Sequence, residues 1–177
     1  MRDYNRIIES LDVKFIKTRH IKVLQALTIE NFYDVENVLL ILNKGHISYT
    51  QEEKLQTVVP GEVLFMPGGK ATTITYGSQK PINLNNDYFI NNRWKYFEAL
   101  PEISADAGFE NFSYITFDAK VFNSVNFFAS LDIPAFVLKE DKNVNGLLKN
   151  ILAESSSEGI GSERIVRANI EQLVIEI

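Results

Sequence analysis

Residues 60–76 of the chain read PGEVLFMPGGKATTITY, and this stretch decides the fold. Two turn signals, Pro60-Gly61 and PGG at 67–69, enclose a short apolar run, because proline presets one backbone torsion and glycine adopts positive φ without steric cost. An apolar run that is bounded in this way is typical of a buried β-strand, and a second strand follows from Thr72. The stretch therefore predicts turn, strand, turn and strand, as in an antiparallel β-protein.

Composition limits the class of protein. The chain has 177 residues, of which 45% are hydrophobic and 23% charged, and these values are typical of one globular domain. It has no cysteine, which excludes disulfides, thiolate metal sites and a cysteine nucleophile. A net charge of −5 disfavours nucleic-acid binding by this segment itself. Because the sequence shows neither a signal-peptide pattern nor an apolar run of about 20 residues, we expect a cytoplasmic protein without a membrane partner.

Strand-like segments between turn residues continue on both sides of this stretch, and they predict a mostly β fold over residues 1–140. Residues 38–42 form a continuous apolar run that indicates a strand buried on both faces. An insertion at 78–111, rich in asparagine and aromatic residues, interrupts this alternation of strand-like segments and turns. Within it we expect a short helix at 91–100, since Pro101 follows directly as a helix stop.

The hydrophobic period changes to that of an α-helix after residue 140. The first apolar stripe has Asp141 in place as its N-cap; it comprises Val144, Leu147, Leu148, Ile151 and Leu152. After a linker rich in serine and glycine comes a second stripe, made of Val166, Ile170, Leu173, Val174 and Ile177. The second helix carries no stop signal, and Glu176 opposes the helix dipole in its last turn. We therefore expect further protein after residue 177.

The opening stretch resembles the second cupin motif, G-x5-P-x-G-x2-H-x3-N. Gly61, Pro67 and Gly69 are in register with the motif. The metal-ligating histidine falls on Thr72 and the last position on Tyr76. The resemblance implies a cupin-like jelly-roll barrel in which this part of the metal site is missing.

The first cupin motif, G-x5-H-x-H-x3-4-E-x6-G, can be anchored with its last glycine on Gly45. Val38 then takes the glutamate position. The two histidine positions fall on one of two pairs, Phe32 with Asp34 or Asn31 with Tyr33. A stable site needs three or four nitrogen or oxygen ligands, so we expect a barrel without metal or another cofactor.

A metal-free barrel followed by two helices resembles the N-terminal effector-binding and dimerisation domain of AraC-type transcription regulators. Residues 61–76 and 163–173 carry this resemblance. It implies a barrel at 1–140 that binds a small-molecule effector and a helical dimerisation segment at 141–177. It also implies that DNA is bound only through a separate C-terminal domain, which would follow residue 177.

Aromatic residues near the missing metal centre are the candidate ligand-binding residues, because such side chains stack on small molecules and can supply a hydroxyl. They are Tyr33, Tyr76, Phe112 and Tyr114. A place in the ordinary hydrophobic core is the alternative for each of them. Arg93 and Trp94 are candidates for a lid, and the alternative is an exposed insertion helix packed by its aromatic residues.

The second apolar stripe is the candidate dimer interface. A barrel with its own core needs one helix as a cover, so the other stripe is left for a partner. We assign the first stripe to the barrel and the second to a homodimer. The interface residues are Val166, Ile170, Leu173, Val174 and Ile177. Packing of this stripe on the barrel is the alternative.

No residue pattern in the chain predicts catalysis. The two histidines, His20 and His46, are expected at surface turns, and neither has the setting of a nucleophile or its base. The rival hypothesis is a stand-alone cupin enzyme, of the isomerase or dioxygenase class, with atypical metal ligands. The gene beyond residue 177 separates the two, since a regulator continues with helix-turn-helix units and a stand-alone enzyme stops.

Overall fold

The structure, a computed structural model, describes residues 2–103 and 106–177. Within these ranges the chain is mostly β, with strands in the first three quarters and two packed helices at the C-terminal end. The strands are β1 (Leu11–Val23), β2 (Leu27–Phe32), β3 (Asn37–Lys44), β4 (Ile47–Gln51), β5 (Lys54–Val58), β6 (Val63–Met66), β7 (Thr72–Tyr76), β8 (Ile82–Asn85), β9 (Phe97–Leu100), β10 (Asn111–Val121), β11 (Val125–Asn126) and β12 (Phe136–Val137). The helices are α1 (Arg2–Glu9), α2 (Asn86–Asn92), α3 (Phe127–Ser130), α4 (Lys142–Glu154) and α5 (Ser162–Glu176), and a 3₁₀ turn at Arg93–Lys95 follows α2.

The strands hydrogen-bond in two separate sheets rather than in one closed barrel. The large sheet has the order β12-β6-β3-β10-β1-β9, with β11 paired to β10. The small sheet has the order β5-β4-β7-β2-β8. All pairs are antiparallel except β2 with β8. The predicted mostly β fold with two C-terminal helices is therefore confirmed, whereas closure into a barrel is not.

The opening stretch of sequence folds as predicted into turn, strand, turn and strand. Gly61 and Gly69 have φ values of 93° and 82°, which glycine adopts without strain. Between these glycines lies β6, whose four residues are all buried, and β7 follows the second turn. Gly68 has no room for a Cβ atom, because the carbonyl oxygen of Val35 occupies that space. The second turn is thereby fitted against the loop that precedes β3.

A first hydrophobic core lies between the two sheets. The large sheet contributes alternate residues of β3 and β10, and the small sheet contributes buried residues of β2, β4 and β7. Leu40 and Ile74 are 1% and 0% exposed, which shows how completely water is excluded from the middle of this layer. Because side chains alternate along a strand, the same strands of the large sheet have a second set of residues for the opposite face.

A second hydrophobic core lies between the large sheet and the helices. Phe65 is at its centre, with ring centroids 4.7 Å from Phe128, 5.6 Å from Phe136 and 6.5 Å from Phe117. The buried faces of α4 and α5 complete this core. The molecule thus has three layers, which are the small sheet, the large sheet and the helices.

Helix α4 begins where the sequence predicts. The side chain of Asp141 accepts hydrogen bonds from the backbone N–H groups of Asn143 and Val144, at 2.7 and 3.3 Å. These groups have no partner inside the helix, so the carboxylate stabilises the first turn. The first apolar stripe faces the second core, as expected.

The insertion at 78–111 has a different structure from the one that the sequence predicts. Its helix is α2, which begins earlier, at Asn86, where the side chain of Asn85 accepts a hydrogen bond from the Tyr88 N–H at 2.8 Å. The predicted helix at 91–100 is wrong in its second half, since residues 97–100 form β9 at the edge of the large sheet. Pairing of Phe97 with Val23 extends the sheet and buries part of the aromatic ring, which a surface helix would not do.

Candidate functional site

A cavity of about 90 Å³ lies between the two sheets. Six of its fourteen lining residues are aromatic, and they come from both sheets and from α2. These rings belong to Phe32, Tyr76, Phe89, Phe97, Phe112 and Tyr114. Three charged side chains and one hydroxyl complete the polar part of the lining; they belong to Lys17, Asp34, Arg93 and Thr116.

The aromatic wall is a continuous set of ring contacts. Tyr76 stacks on Phe112 with centroids 5.0 Å apart, and Phe97 meets both rings edge-on, at 5.0 and 5.3 Å. Phe89 of α2 meets Phe97 at 5.4 Å, and Tyr114 lies 6.4 Å from Phe112. Such edge-on and offset pairs stabilise one another beyond the area they bury, so this part of the wall is preformed.

Strand β10 supplies the large-sheet side of the cavity. Its residues Phe112, Tyr114 and Thr116 line the cavity, whereas Ile115 and Phe117 belong to the second core on the opposite face. This follows from the two-residue period of a strand. The same strand is therefore in contact with the cavity on one side and with the helix layer on the other.

A β-bulge in β1 turns Lys17 into the cavity. Phe15 pairs with Phe117 and packs in the second core, and the register then shifts so that Lys17 pairs with Thr116. Without the extra residue, positions 15 and 17 would lie on the same face of the sheet. The bulge therefore places a lysine side chain in a largely apolar lining.

The turn after β6 and the helix α2 place the other two charges. The N–H of Gly69 donates to the backbone oxygen of Asp34 at 2.8 Å, which fixes the loop before β3. The carboxylate of Asp34 accepts a hydrogen bond from the N–H of Glu36 at 3.1 Å. Arg93 follows α2, and its guanidinium lies 5.8 Å from the ring centroid of Phe89. Within residues 2–103 and 106–177, none of the lining charges Lys17, Asp34 and Arg93 forms an ion pair.

Three hydroxyl groups of the lining make no hydrogen bond within the described part of the chain. They belong to Tyr76, Tyr114 and Thr116, of which Tyr76 is 4% exposed and Thr116 is 2% exposed. Of the three, only the Thr116 hydroxyl is fully shielded from water, where a missing partner costs free energy, and all three groups line the cavity and are available to a molecule that could pair with them.

Burial raises the pKa of both tyrosine hydroxyls. For Tyr76 burial is the main cause, and the nearby Tyr114 adds to it. For Tyr114 burial again comes first; Arg93 and Arg19 act against it, while Asp34 and Glu36 act with it. Both groups therefore remain neutral phenols at physiological pH, able to donate one hydrogen bond and to accept others.

The structure brings three of the four predicted ligand-binding residues together. Tyr76, Phe112 and Tyr114 line the cavity, whereas Tyr33 does not and is 44% exposed. The reason is an irregularity of β2, where the register shifts between Ile29 and Phe32 and a residue between them has positive φ. A shift by one residue reverses the face, so Phe32 and Asp34 line the cavity in place of Tyr33.

The charged lining residues were not predicted from the sequence. Lys17 could not be found, because a bulge leaves no local signal in the chain. A signal existed for Asp34, since one alignment to the first cupin motif puts Phe32 and Asp34 at the histidine positions and Val38 at the glutamate position. All three residues line the cavity. Arg93, predicted as part of a lid, is a lining residue, and Trp94 beside it is 72% exposed.

The two histidines occupy different environments. His46 is exposed at the turn between β3 and β4, as predicted. The same prediction is wrong for His20, which is 6% exposed within β1, and its Nδ1 lies 2.7 Å from the Ser113 hydroxyl. Burial lowers the pKa of His20. In the described part of the chain, no group of three or more histidine, aspartate or glutamate side chains is placed to hold a metal ion.

The second apolar stripe packs inside the chain. Four of its residues are 0–4% exposed and belong to the second core, and Ile177 packs against them; the four are Val166, Ile170, Leu173 and Val174. The assignment of this stripe to a dimer interface is therefore corrected, because the large sheet already covers the side chains. Of the helices that the structure describes, none combines the length and the apolar character needed to cross a membrane.

Comparison with known proteins supports the fold alone. No protein-family model matches the chain, and no curated protein matches its sequence. The crystal structure of apo ToxT K231A from Vibrio cholerae is similar with a TM-score of 0.51 at 9% identity, over 92% of this chain and 54% of that chain. The chain thus spans about half the length of this structure.

Two further solved structures are similar at lower scores. Wild-type ToxT from Vibrio cholerae, bound to an unsaturated fatty acid, has a TM-score of 0.48 at 10% identity, over 95% of this chain and 54% of that chain. A protein of unknown function from Rhizobium leguminosarum has a TM-score of 0.34 at 15% identity, over 60% of this chain and 80% of that chain. Both scores are too low to carry an argument.

Proposed function

We propose that the chain is the effector-binding domain of an AraC-type transcription regulator, and that a small molecule binds in the cavity between its sheets. The observation that carries this proposal is the cavity itself, which has a preformed aromatic wall and three hydroxyls without partners. Ligand sites in proteins commonly have this composition, a mostly apolar wall with a few polar groups that fix orientation.

The fold and the sequence resemblance support the choice of family. ToxT is an AraC-family regulator, and the chain is similar in fold to part of it. The cupin-like motif at 61–76 belongs to the same proposal, in which the two sheets are the halves of a cupin-like jelly roll. In this proposal the protein is cytoplasmic, is not an enzyme, and needs no cofactor.

Strand β10 gives the proposal a route from ligand to helices. Its residues alternate between the cavity and the second core, with Tyr114 on one side and Ile115 on the other. A ligand that moves or stiffens β10 would change the surface on which α4 and α5 pack. The effector would thus shift the balance between two arrangements of the helical layer, which a DNA-binding domain and a homodimer partner could detect.

Ligand binding by matched tyrosine variants tests the cavity. A small-molecule screen by thermal shift supplies a ligand, and calorimetry then compares wild type with Tyr114→Ala and Tyr33→Ala. We expect Tyr114→Ala to weaken binding by about tenfold or more, equivalent to about 1.4 kcal/mol. Tyr33→Ala, which removes an exposed ring outside the cavity, should bind as wild type does. Equal affinity of wild type and Tyr114→Ala would place the ligand elsewhere.

Reading the gene past residue 177 tests the family. A regulator of this type continues for roughly 100 residues with two helix-turn-helix units. A stop codon directly after residue 177 would favour the rival, a stand-alone cupin enzyme of the isomerase or dioxygenase class with atypical metal ligands. If the gene continues with helix-turn-helix units, the full-length product should bind duplex DNA. Residues 1–177 alone should not bind it, because the segment is acidic.

A further inference from the structure

One part of the cavity wall is formed by a single buried side chain of α2. The ring of Phe89 lines the cavity and is 3% exposed, although the residues on either side of it are exposed at the surface. The space that remains, about 90 Å³, is smaller than an apolar protein cavity of about 150 Å³ that holds benzene. A ligand with an aromatic ring therefore needs more room than this conformation offers, and the Phe89 ring stands directly beside the space.

The segment that carries this ring, residues 86–95, has little other buried surface. Phe89 is the buried side chain of α2, and the turn at Arg93–Lys95 contributes none. The side chains of Ile90 and Trp94 are 45% and 72% exposed. A segment with few buried apolar contacts has a low free energy of local opening. Opening of residues 86–95 should therefore cost much less than unfolding of either hydrophobic core.

The polar contacts of this segment are compatible with its opening as a unit. The side-chain amides of Asn91 and Asn92 donate to backbone oxygens one turn earlier in the same helix, at 3.0 and 2.9 Å, and would move with it. A contact with the rest of the chain is the hydrogen bond from the Tyr33 N–H to the side-chain oxygen of Asn86, at 3.2 Å. Among the described residues, no charged side chain of the segment forms an ion pair.

Two rings of the sheets define the place that the Phe89 ring occupies. Phe97 of β9 meets it at 5.4 Å between centroids with an interplanar angle of 74°, and Phe32 of β2 meets it at 6.4 Å and 72°. Both belong to strands, so they would stay in place if α2 moved. Because edge-on contacts of this kind are favourable between aromatic rings, the place that Phe89 would leave suits another aromatic ring.

The cavity beside this place offers hydroxyl groups of β10. The Thr116 hydroxyl is shielded from water and has no hydrogen-bond partner in the described part of the chain, and Tyr114 lines the same cavity. A hydroxyl group donates one hydrogen bond and accepts others, so an alcohol can pair with either side chain. The two neighbouring spaces together therefore match a ring that carries a short chain with a hydroxyl group.

We infer that the Phe89 ring occupies the effector's place in the free protein, and that the effector is an aromatic alcohol whose ring replaces it when residues 86–95 move away from the sheets. The hydroxyl end of the ligand enters the cavity toward Thr116. Only the open form is competent to bind, so the cost of opening lowers the apparent affinity. The inference rests on the proposed function, because it names the effector class and the conformational step for the same cavity.

Hydrogen exchange of the wild-type chain with and without 2-phenylethanol tests the direction of the movement. We expect the backbone amides of residues 86–95 to exchange at least about threefold faster with saturating probe, because the ligand holds the segment away from the sheets. Amides of β10, in the middle of the large sheet, should not exchange faster. Unchanged or slower exchange of residues 86–95 would mean that the probe binds beneath a closed segment, which would overturn the inference.

Removal of the ring should make the opening unnecessary. Phe89→Ala leaves the place empty while α2 remains in contact with the sheets, so 2-phenylethanol should bind at least about tenfold more tightly than to wild type, by calorimetry. Ile90→Ala removes an exposed side chain of the same helix and should bind as wild type does. Thermal unfolding confirms that both variants are folded. Equal affinity of wild type and a folded Phe89→Ala would refute the role of this ring.

A disulfide that holds the segment closed tests the same point without removal of a buried ring. The chain has no cysteine, so Tyr33→Cys with Asn86→Cys introduces a single pair, at positions that a hydrogen bond of 3.2 Å already joins. The oxidised form should bind 2-phenylethanol at least about tenfold more weakly than wild type, and reduction with dithiothreitol should restore binding. Undiminished binding by the oxidised form, with the bond verified by mass spectrometry, would contradict the inference.

The outcomes separate this inference from the proposed function. Binding of 2-phenylethanol to Phe89→Ala but not to wild type would show that the ring is a fixed part of the core, and would overturn the inference alone. Failure of 2-phenylethanol to bind either chain, together with binding of another molecule that Tyr114→Ala abolishes, would overturn the aromatic alcohol and leave the effector cavity standing. If every ligand that binds is insensitive to Tyr114→Ala, the proposed function itself fails.

Discussion

The two faces of the large sheet are built from the same strands and differ in how completely they are filled. The face toward the helices is packed around the ring of Phe65, and its buried polar side chains include Asn37 and Ser113, which are hydrogen-bonded, and the hydroxyl of Thr18, which has no partner among the described residues. The face toward the small sheet contains the cavity and three hydroxyls without partners. Close packing is the ordinary state of a protein interior, so a cavity between the two sheets needs a reason.

The difference indicates which face mainly stabilises the fold and which one carries the candidate site. A well-packed face gains free energy from every buried ring, and it gives β10 a rigid support. A cavity lined by charged side chains and an unpaired hydroxyl makes its face less stable than it could be, and natural proteins retain such defects chiefly at functional sites. The comparison therefore predicts that substitutions on the two faces have opposite consequences.

Charges placed in the helix layer should have the largest effect on the free energy of unfolding. Ile170→Glu with Leu173→Glu should cost more than about 5 kcal/mol and unfold the chain, because each change removes a buried side chain and buries a charge. Circular dichroism and denaturant titration measure this. Ile165→Glu with Ile175→Glu, at positions 45% and 62% exposed on the same helix, should remain folded.

The opposite result would restore the second stripe as a dimer interface. In that result, light scattering would show the variant Ile170→Glu with Leu173→Glu to be a soluble, folded monomer and the wild-type chain to be a dimer. Dimerisation through another surface, such as the edge strand β5, is compatible with the burial of the stripe.

Truncation of the ring at the centre of the second core should have the next largest effect. Phe65→Ala should cost about 3–5 kcal/mol in the free energy of unfolding, because the helix layer and the sheet cannot close the space that it leaves. Phe122→Ala, at a position 75% exposed, should cost about 0.5 kcal/mol or less. A small loss for Phe65→Ala would mean that this face is not the packed one.

Removal of a hydroxyl from the cavity should have a smaller effect of the opposite sign. Thr116→Val keeps the shape and removes a buried hydroxyl without a partner, so the free chain should gain up to about 1 kcal/mol of stability. The same variant should bind the effector less tightly. As a matched control in the small sheet, Thr75→Val breaks the hydroxyl pair with Thr28, at 2.8 Å, and should lose about 1 kcal/mol. Destabilisation by Thr116→Val would show that its hydroxyl has a partner.

The smallest effect concerns pH. Burial lowers the pKa of His20 below its usual value of 6.5, so the folded state prefers the neutral ring. The unfolded state then binds the proton more readily, and stability is lost as the pH falls below about 6.5 toward the folded pKa. Denaturant titrations between pH 7.5 and 5 should show this loss in wild type and in His46→Gln. In His20→Gln the loss should be reduced; an unchanged pH dependence there would assign it to other groups.

Local signals in the sequence predicted the parts of the fold that depend on local chemistry. The turns at Gly61 and Gly69 fix β6 and β7, and Asp141 fixes the start of α4, because each requirement is met within a few residues of chain. The apolar stripe of α5 was also evident, but its period does not say whether a sheet or a partner covers it. That choice depends on the tertiary structure.

The candidate site was only partly predictable for the same reason. The cupin-like motif led to Tyr76 and to the strand that carries Phe112 and Tyr114. Irregularities of the backbone decided the rest, since a bulge placed Lys17 in the cavity and a register shift excluded Tyr33. A sequence pattern with a two-residue period cannot reveal such shifts.

A crystallographic soak with small fragments tests the central claim most directly, namely that the space between the sheets is a binding site. The fragments should carry a hydroxyl group on a short aliphatic group or on an aromatic ring. We predict electron density for at least one of them between Tyr76, Tyr114 and Lys17, with its hydroxyl group toward Tyr114 or Thr116. Fragments bound only at other surfaces, such as the groove between β1 and the start of α5, with the cavity empty in every soak, would contradict the claim.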